Sequence, residues 1–226
     1  MPLRGHHNYG RSMKNKYSLP INLYKYGVVA FYFVMAYIMG TFTPNDLAKR
    51  EIIRSVEQSY TDQARYLGFK QPEFKYNDPE SFVTAMTKCV DYLNLMTDPH
   101  HRIPSAIIIG MAVIESDYGR SRFATEGNAL FGVRTWDPMV PQMKPQAIPN
   151  AEFGVKKYSH KCESVSDMIR IINNHPAYKP FRRYRDAQYD TGKFDYYKLL
   201  QGLRAWSTNP DYADIVMGKI KQLKLP

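Results

Sequence analysis

Pro104-Ser-Ala-Ile-Ile-Ile-Gly-Met-Ala-Val-Ile-Glu115-Ser-Asp-Tyr-Gly119 carries no charge until its twelfth residue. From Ser105 to Ile114 apolar side chains cover every helical direction, and a helix apolar all round has no solvent face. It is therefore expected to run through the middle of a domain. Pro104 suits the first helical position, Gly119 suits a stop just past the end, and the run is long for a strand. Glu115 is the first ionisable group on this helix. In the last turn of a buried helix a carboxylate loses hydration and faces the negative end of the dipole, and both effects favour the protonated form. An acid that keeps its proton near neutral pH can protonate a leaving group. The bland alternative is an ion pair with Arg120 or Arg122 at the helix end.

Downstream, Glu115-Ser-x-x-Gly119 is followed by Ser121-Arg-Phe-Ala124, by Gly127-Asn128-x-Leu130-Phe131-Gly132 and by the aromatic Trp136. The pattern continues through Val140-Pro141, Lys144-Pro145, Glu152, Tyr158, Asn174-His-Pro-Ala-Tyr178 and Trp206-Ser-Thr-Asn-Pro-Asp-Tyr-Ala213. Taken together, these residues resemble the core of the glucosaminidase superfamily, glycoside hydrolase family 73, and within it the Bax-type branch. The likeness covers most of the chain after His100. It implies a mainly α, lysozyme-like helical domain with a small extended hairpin or loop lobe, and hydrolysis of peptidoglycan after N-acetylglucosamine. It also implies a second acidic residue on that lobe facing the helix-borne acid, and Glu152 is the residue that fits; an exposed, solvated glutamate is the alternative.

The chemistry expected is endo-type glycoside hydrolysis, with Glu115 protonating the glycosidic oxygen and Glu152 acting as base or electrostatic stabiliser. Carboxyl separation would decide between covalent and water-attack routes. Trp136, Tyr158, Tyr178, Trp206 and Tyr212 offer flat faces to sugar rings, although core packing is the commoner use of aromatics. Asn128 can hydrogen-bond an acetamido group or cap a turn, and Phe131 suits packing. One departure from the family pattern stands out: Trp206 and Asn209 replace a tyrosine and an aspartate of its late motif. Any role needing that tyrosine hydroxyl must pass to Tyr212 or be absent. Two other readings share the same residues: lytic transglycosylase-like cleavage with Glu115 alone, and a non-catalytic wall-binding or scaffold protein.

The 226 residues, 44% hydrophobic and 14% aromatic, suffice for one well-buried domain plus an appendage. The net charge of +10 is unevenly spread: no acid precedes Asp46, while Arg4, Arg11, Lys14, Lys16 and Lys25 are basic. The rest is mildly basic, which suits nucleic acid and other anionic polymers alike. Phe181-Arg-Arg-Tyr-Arg185 interleaves aromatics and cations but is short and matches the family's post-helix turn, so no nucleic acid partner is expected; the expected partner is the glycan strand of peptidoglycan.

From Tyr26 to Asn45 nothing is charged, close to the roughly 20 residues that cross a bilayer. The positive-inside rule then gives a basic cytoplasmic tail at 1–25, a membrane-spanning anchor at 26–45 and an exported domain at 46–226, with a cleaved signal as the rival. Within the domain, 46–99 would be a helical cover and 100–226 the catalytic core. Cys89 and Cys162 are candidates for a disulfide in an exported protein. The histidines lack ligand spacing, so neither metal nor cofactor is expected.

Pro44-Asn45-Asp46 can open a helix that Gly68 ends, and Phe82 to Leu95 has the spacing of a second, stopped at Asp98-Pro99. Prolines at 138, 141, 145 and 149 forbid a long helix there, with Glu152 to Tyr158 returning as an extended segment. Val165 to Ile172 predicts a helix capped by Ser164 or Ser166, and a last helix is expected from Tyr212 to Leu223.

Overall fold

The computed structural model describes residues 21–42, 46–148 and 150–226. The basic tail before Ile21, with His6 and His7, and the helix start expected at Pro44-Asn45 lie outside the described residues. The chain divides between Ile52 and Ile53. On the first side, α1 (Ile21–Phe42) occupies the expected apolar segment, and every described side chain from Tyr24 to Ile38 is exposed. Among the described residues, however, no helix is long and apolar enough to cross a membrane. Lys25 and the tyrosines at 24, 26, 32 and 37 interrupt the apolar run.

Helix α2 (Asp46–Tyr66) crosses the division and stops before Gly68, which sits at φ 75°. Helix α3 (Pro79–Leu95) starts at a reciprocal cap: the Asp78 carboxylate accepts from the Ser81 amide at 2.8 Å while Ser81 Oγ accepts from the Asp78 amide at 3.1 Å. The apolar run forms α4 (Ser105–Ser116), with Pro104 one position earlier than expected, at the cap. After it come α5 (Arg122–Gly127) and three short strands, β1 (Arg134–Thr135), β2 (Gln142–Met143) and β3 (Gly154–Lys156). They form an antiparallel sheet in the order β1-β3-β2, with Arg134 and Met143 both level with Val155. The proline-rich region thus becomes the small extended lobe, and the whole is mainly helical. The chain finishes with α6 (Lys161–Asn174), α7 (Lys179–Tyr189), α8 (Tyr196–Gln201) and α9 (Tyr212–Gln222).

Two local expectations are corrected. The cap of α6 is His160, whose Nδ1 accepts from the Glu163 amide at 3.2 Å. Ser164 is buried instead, donating to the Lys161 carbonyl at 2.8 Å and accepting from the Leu130 amide at 3.3 Å. Phe181 to Arg185 is no turn but the body of α7, because Phe181 is fully buried and Arg185, 2% exposed, is satisfied by Asn173 Oδ1 at 2.6 Å and Asp186 at 3.1 Å.

The core lies around α4, whose side chains from Ala106 to Val113 are buried among Phe82, Met86 and Val90 of α3, Val165, Met168 and Ile172 of α6, and Val216 and Ile220 of α9. Gly110 lets α9 approach: a Cβ there would stand 3.0 Å from Ile220 Cγ1 and 3.3 Å from Val216 Cγ1. Cys89 of α3 and Cys162 of α6 form the disulfide, their Cα atoms 5.8 Å apart.

Candidate active site

Directly after Glu115 the helix stops hard. Asp117, Tyr118 and Gly119 take φ values of 50°, 53° and 75°, three left-handed residues in a row. Ser116 holds the stop together: its hydroxyl donates to the Ala112 carbonyl at 2.6 Å and accepts from the Gly119 amide at 2.8 Å. No side chain fits at 119, where a Cβ would lie 2.5 Å from the Tyr76 hydroxyl and 2.7 Å from Phe82. The Tyr76 hydroxyl in turn donates to the Gly119 carbonyl at 2.7 Å. The Glu-Ser-x-x-Gly spacing is thus a device for ending a buried helix abruptly with its acid at the rim.

The close packing of α9 on α4 brings in the partner of that acid. Tyr212, first residue of α9 and 7% exposed, donates its hydroxyl to Glu115 Oε1 at 2.8 Å across 97 positions of sequence. Burial raises the Glu115 pKa, while hydrogen bonds from Tyr212 and Trp206 act against that rise without cancelling it. Burial and the neighbouring Glu115 both push the Tyr212 phenol upward, so it stays a donor. Trp206 continues the wall, its ring 6.0 Å from that of Tyr178 and 6.3 Å, edge-on, from that of Phe131. Glu115, Tyr178, Trp206 and Tyr212 therefore form one constellation, and the alternative pairing of Glu115 with Arg120 or Arg122 does not form. Arg120 instead bonds the Asp117 carboxylate at 2.7 Å, and Arg122 reaches Glu126 at 3.4 Å. Trp206 carries no hydroxyl, and the phenol that reaches Glu115 belongs to Tyr212.

Two other expected site residues bond within the fold. Asn128, the left-handed cap of α5, spends its amide on the fold: Nδ2 donates to the carbonyls of Tyr158 and Ser159 at 3.0 and 3.1 Å, and Oδ1 accepts from Lys161 at 3.1 Å. Tyr158 donates its hydroxyl to Asp167 Oδ2 at 2.8 Å, and burial, followed by that carboxylate, raises its pKa. Burial alone would push Asp167 up, yet hydrogen bonds from Arg170, Lys156 and Tyr158 hold it below the ordinary carboxylate value. These two residues brace the sheet lobe to α6.

On the lobe itself, Glu152 is exposed in the bend just before β3 and has no hydrogen bond or ion pair to any described residue. Beside it Phe153 packs against Trp136, 64% exposed, with ring centres 5.9 Å apart, and carries the Arg134 guanidinium 4.4 Å from its ring centre. No hydrogen bond or ring contact among the described residues ties Glu152 or Trp136 to Glu115. Among the described residues no cluster of histidine, cysteine and carboxylate side chains is arranged to hold a metal ion.

Helix, stop and acid together carry the pattern of a known family. The profile described as mannosyl-glycoprotein endo-beta-N-acetylglucosaminidase matches residues 96–225, and the chain belongs to this glucosaminidase family, in its Bax-type branch. It is 35% identical to the protein Bax of Escherichia coli over 85 residues, 37% of this chain and 28% of that one. To the exo-glucosaminidase LytG of Bacillus subtilis it is 25% identical over 142 residues, 59% of this chain and 49% of the relative. The chain thus spans less than half the length of these curated relatives. Among solved structures it is similar to the catalytic domain of the autolysin Auto from Listeria monocytogenes, with 18% identity, a TM-score of 0.47, and coverage of 74% of this chain and 94% of that one.

Proposed function

We propose that this domain is a peptidoglycan hydrolase, an endo-β-N-acetylglucosaminidase in which Glu115 is the general acid. The observation that carries the reading is a raised carboxyl at the rim of a buried helix, held by a tyrosine hydroxyl and flanked by aromatic rings. Burial keeps the proton on Glu115 until the glycosidic oxygen takes it as the bond to the sugar breaks. The Tyr212 donor fixes which carboxyl oxygen carries that proton, since Oε1 accepts and Oε2 is left to donate. Glu152, exposed and without a bonding partner among the described residues, is assigned the water-activating or stabilising role, with Trp136 and Phe153 as a sugar platform beside it.

The same solitude of Glu152 favours one second reading: cleavage by Glu115 alone, as a lytic transglycosylase would do it, with the sugar's own hydroxyl as nucleophile. Mass spectrometry of digested peptidoglycan separates the two. Hydrolysis leaves reducing N-acetylglucosamine ends that vanish with Glu115→Gln, whereas transglycosylation leaves anhydro-muramic ends. Sacculi bound equally by both forms and cut by neither would overturn both readings and leave a wall-binding protein.

The substrate lies outside the cytoplasmic membrane, and we place the domain there. The Cys89–Cys162 disulfide accords with an oxidising compartment. The exposed apolar side chains of α1 accord with a leader that delivers it.

A further inference from the structure

Next to the acid, α7, α8 and the turn before α9 enclose a cavity of about 490 Å³ lined by Tyr197, Gln201, Arg204, Asn209, Tyr212 and Asp214, among others. Tyr212 belongs to both places, lining this cavity and donating to Glu115. The cavity's charges are unspent. Arg204 and Asp214 are both exposed, and neither has a hydrogen bond or ion pair to any described residue or to the other. Gln201 is likewise unbonded, and the Asn209 side chain uses only Oδ1, on the Asp211 amide at 2.9 Å, so its Nδ2 has no partner among the described residues. Lys198 lies 5.3 Å from the ring centre of Tyr184, another wall residue.

A neutral sugar subsite needs neither a free cation nor a free anion. A short peptide carrying carboxylates, an amino group and amide bonds uses all of these groups: a guanidinium for a carboxylate, a carboxylate for an ammonium, and side-chain amides for the backbone. We infer that this cavity receives the peptide stem of the sugar adjoining the scissile bond, with Arg204 binding a stem carboxylate and Asp214 a stem amino group. The inference rests on the proposed peptidoglycan hydrolysis and specifies which form of the strand that site prefers: one still carrying its stems.

The test uses soluble glycan fragments in two forms, stem-bearing and freed of stems by an amidase, and reads the ratio of kcat/KM between them within each protein. The parent protein is expected to favour stem-bearing fragments about tenfold, the scale of one hydrogen bond to a charged group. Arg204→Ala is expected to bring that ratio close to one, and Asp214→Asn to lower it for stems with a free amino group but not for the same stems after N-acetylation. Because the ratio is internal to each variant, a general loss of activity cancels. Equal cleavage of both forms by the parent protein would overturn the stem pocket while leaving the hydrolase reading intact, and cleavage of neither would overturn both.

Discussion

Two acidic residues, one on the tip of α4 and one on the sheet lobe, stand in opposite physical circumstances. Glu115 is held by a hard helix stop, by Tyr212 and by Trp206, and burial raises its pKa. Glu152 stands in an exposed bend with no hydrogen bond or ion pair to any described residue. The proposed proton donor thus sits where ionisation is unfavourable, and the proposed water-activating group sits in water. If that contrast is functional, the two should respond to substitution with different signatures in both rate and stability.

The sharpest way to break the comparison is Glu115→Gln, which should lower glycan cleavage by up to about 10⁴-fold, the upper range for a general acid. It should also stabilise the fold near neutral pH. With the folded pKa raised above the ordinary 4.5, the contribution of Glu115 to stability is full below pH 4.5 and is lost as pH rises from there through the raised value. The variant escapes that loss, so its melting temperature should exceed that of the parent protein at pH 7 and match it at pH 4. A variant that melts lower at pH 7 would show that the carboxylate is satisfied in its ionised form, which would remove the basis for a proton donor.

Next in size is the disulfide, which ties two helices of the core while no covalent link holds the lobe. Closing a loop of 73 residues is worth about 4 kcal/mol in the chain-entropy account. Replacing Cys89 and Cys162 with alanine should lower unfolding stability by about that amount in urea titrations, with the midpoint falling and the slope rising as the unfolded chain loses its cross-link and expands.

Glu152→Gln should lower activity by about 10²-fold if the residue serves as base. Its melting temperature should stay within about 1 °C of the parent, since an exposed side chain with no partner among the described residues contributes almost nothing to stability. Unchanged activity would relieve Glu152 of any role and favour the single-acid route.

How legible all this was in the sequence depended on the length and charge of the signals. Ten uncharged residues ending in Glu115 announced α4 and its acid, and apolar spacing placed the bodies of α3 and α9, though not the start of α3 at Pro79. The sheet could only be anticipated as an extended lobe, because strands of two and three residues are too short to show alternation. Side chains able to serve either site or scaffold divided in ways that spacing does not encode. Asn128 and Tyr158 bond to Lys161 and Asp167, which come within reach only after α6 packs, and Tyr212 reaches the acid because Gly110 admits α9. The cap of α6 was misassigned for a similar reason: Ser164 is drawn inward by the Leu130 amide, a partner 34 positions away.

The smallest expected effect tests the tuning of the acid rather than its presence. Tyr212→Phe keeps the ring and removes one donor that favours ionised Glu115, so the carboxyl should hold its proton to a still higher pH. Because cleavage needs that proton, the falling alkaline limb of the kcat/KM profile should move to higher pH, while the plateau drops about tenfold as Oε2 loses its fixed orientation. The displacement should be partial, since the hydrogen bond from Trp206 remains, and Trp206→Phe in the same background should extend it. A drop in plateau with an unmoved limb would mean that Tyr212 only packs against α4. The acid would then owe its proton to burial alone, and the contrast with Glu152 would rest on solvent exclusion without any contribution from the phenol.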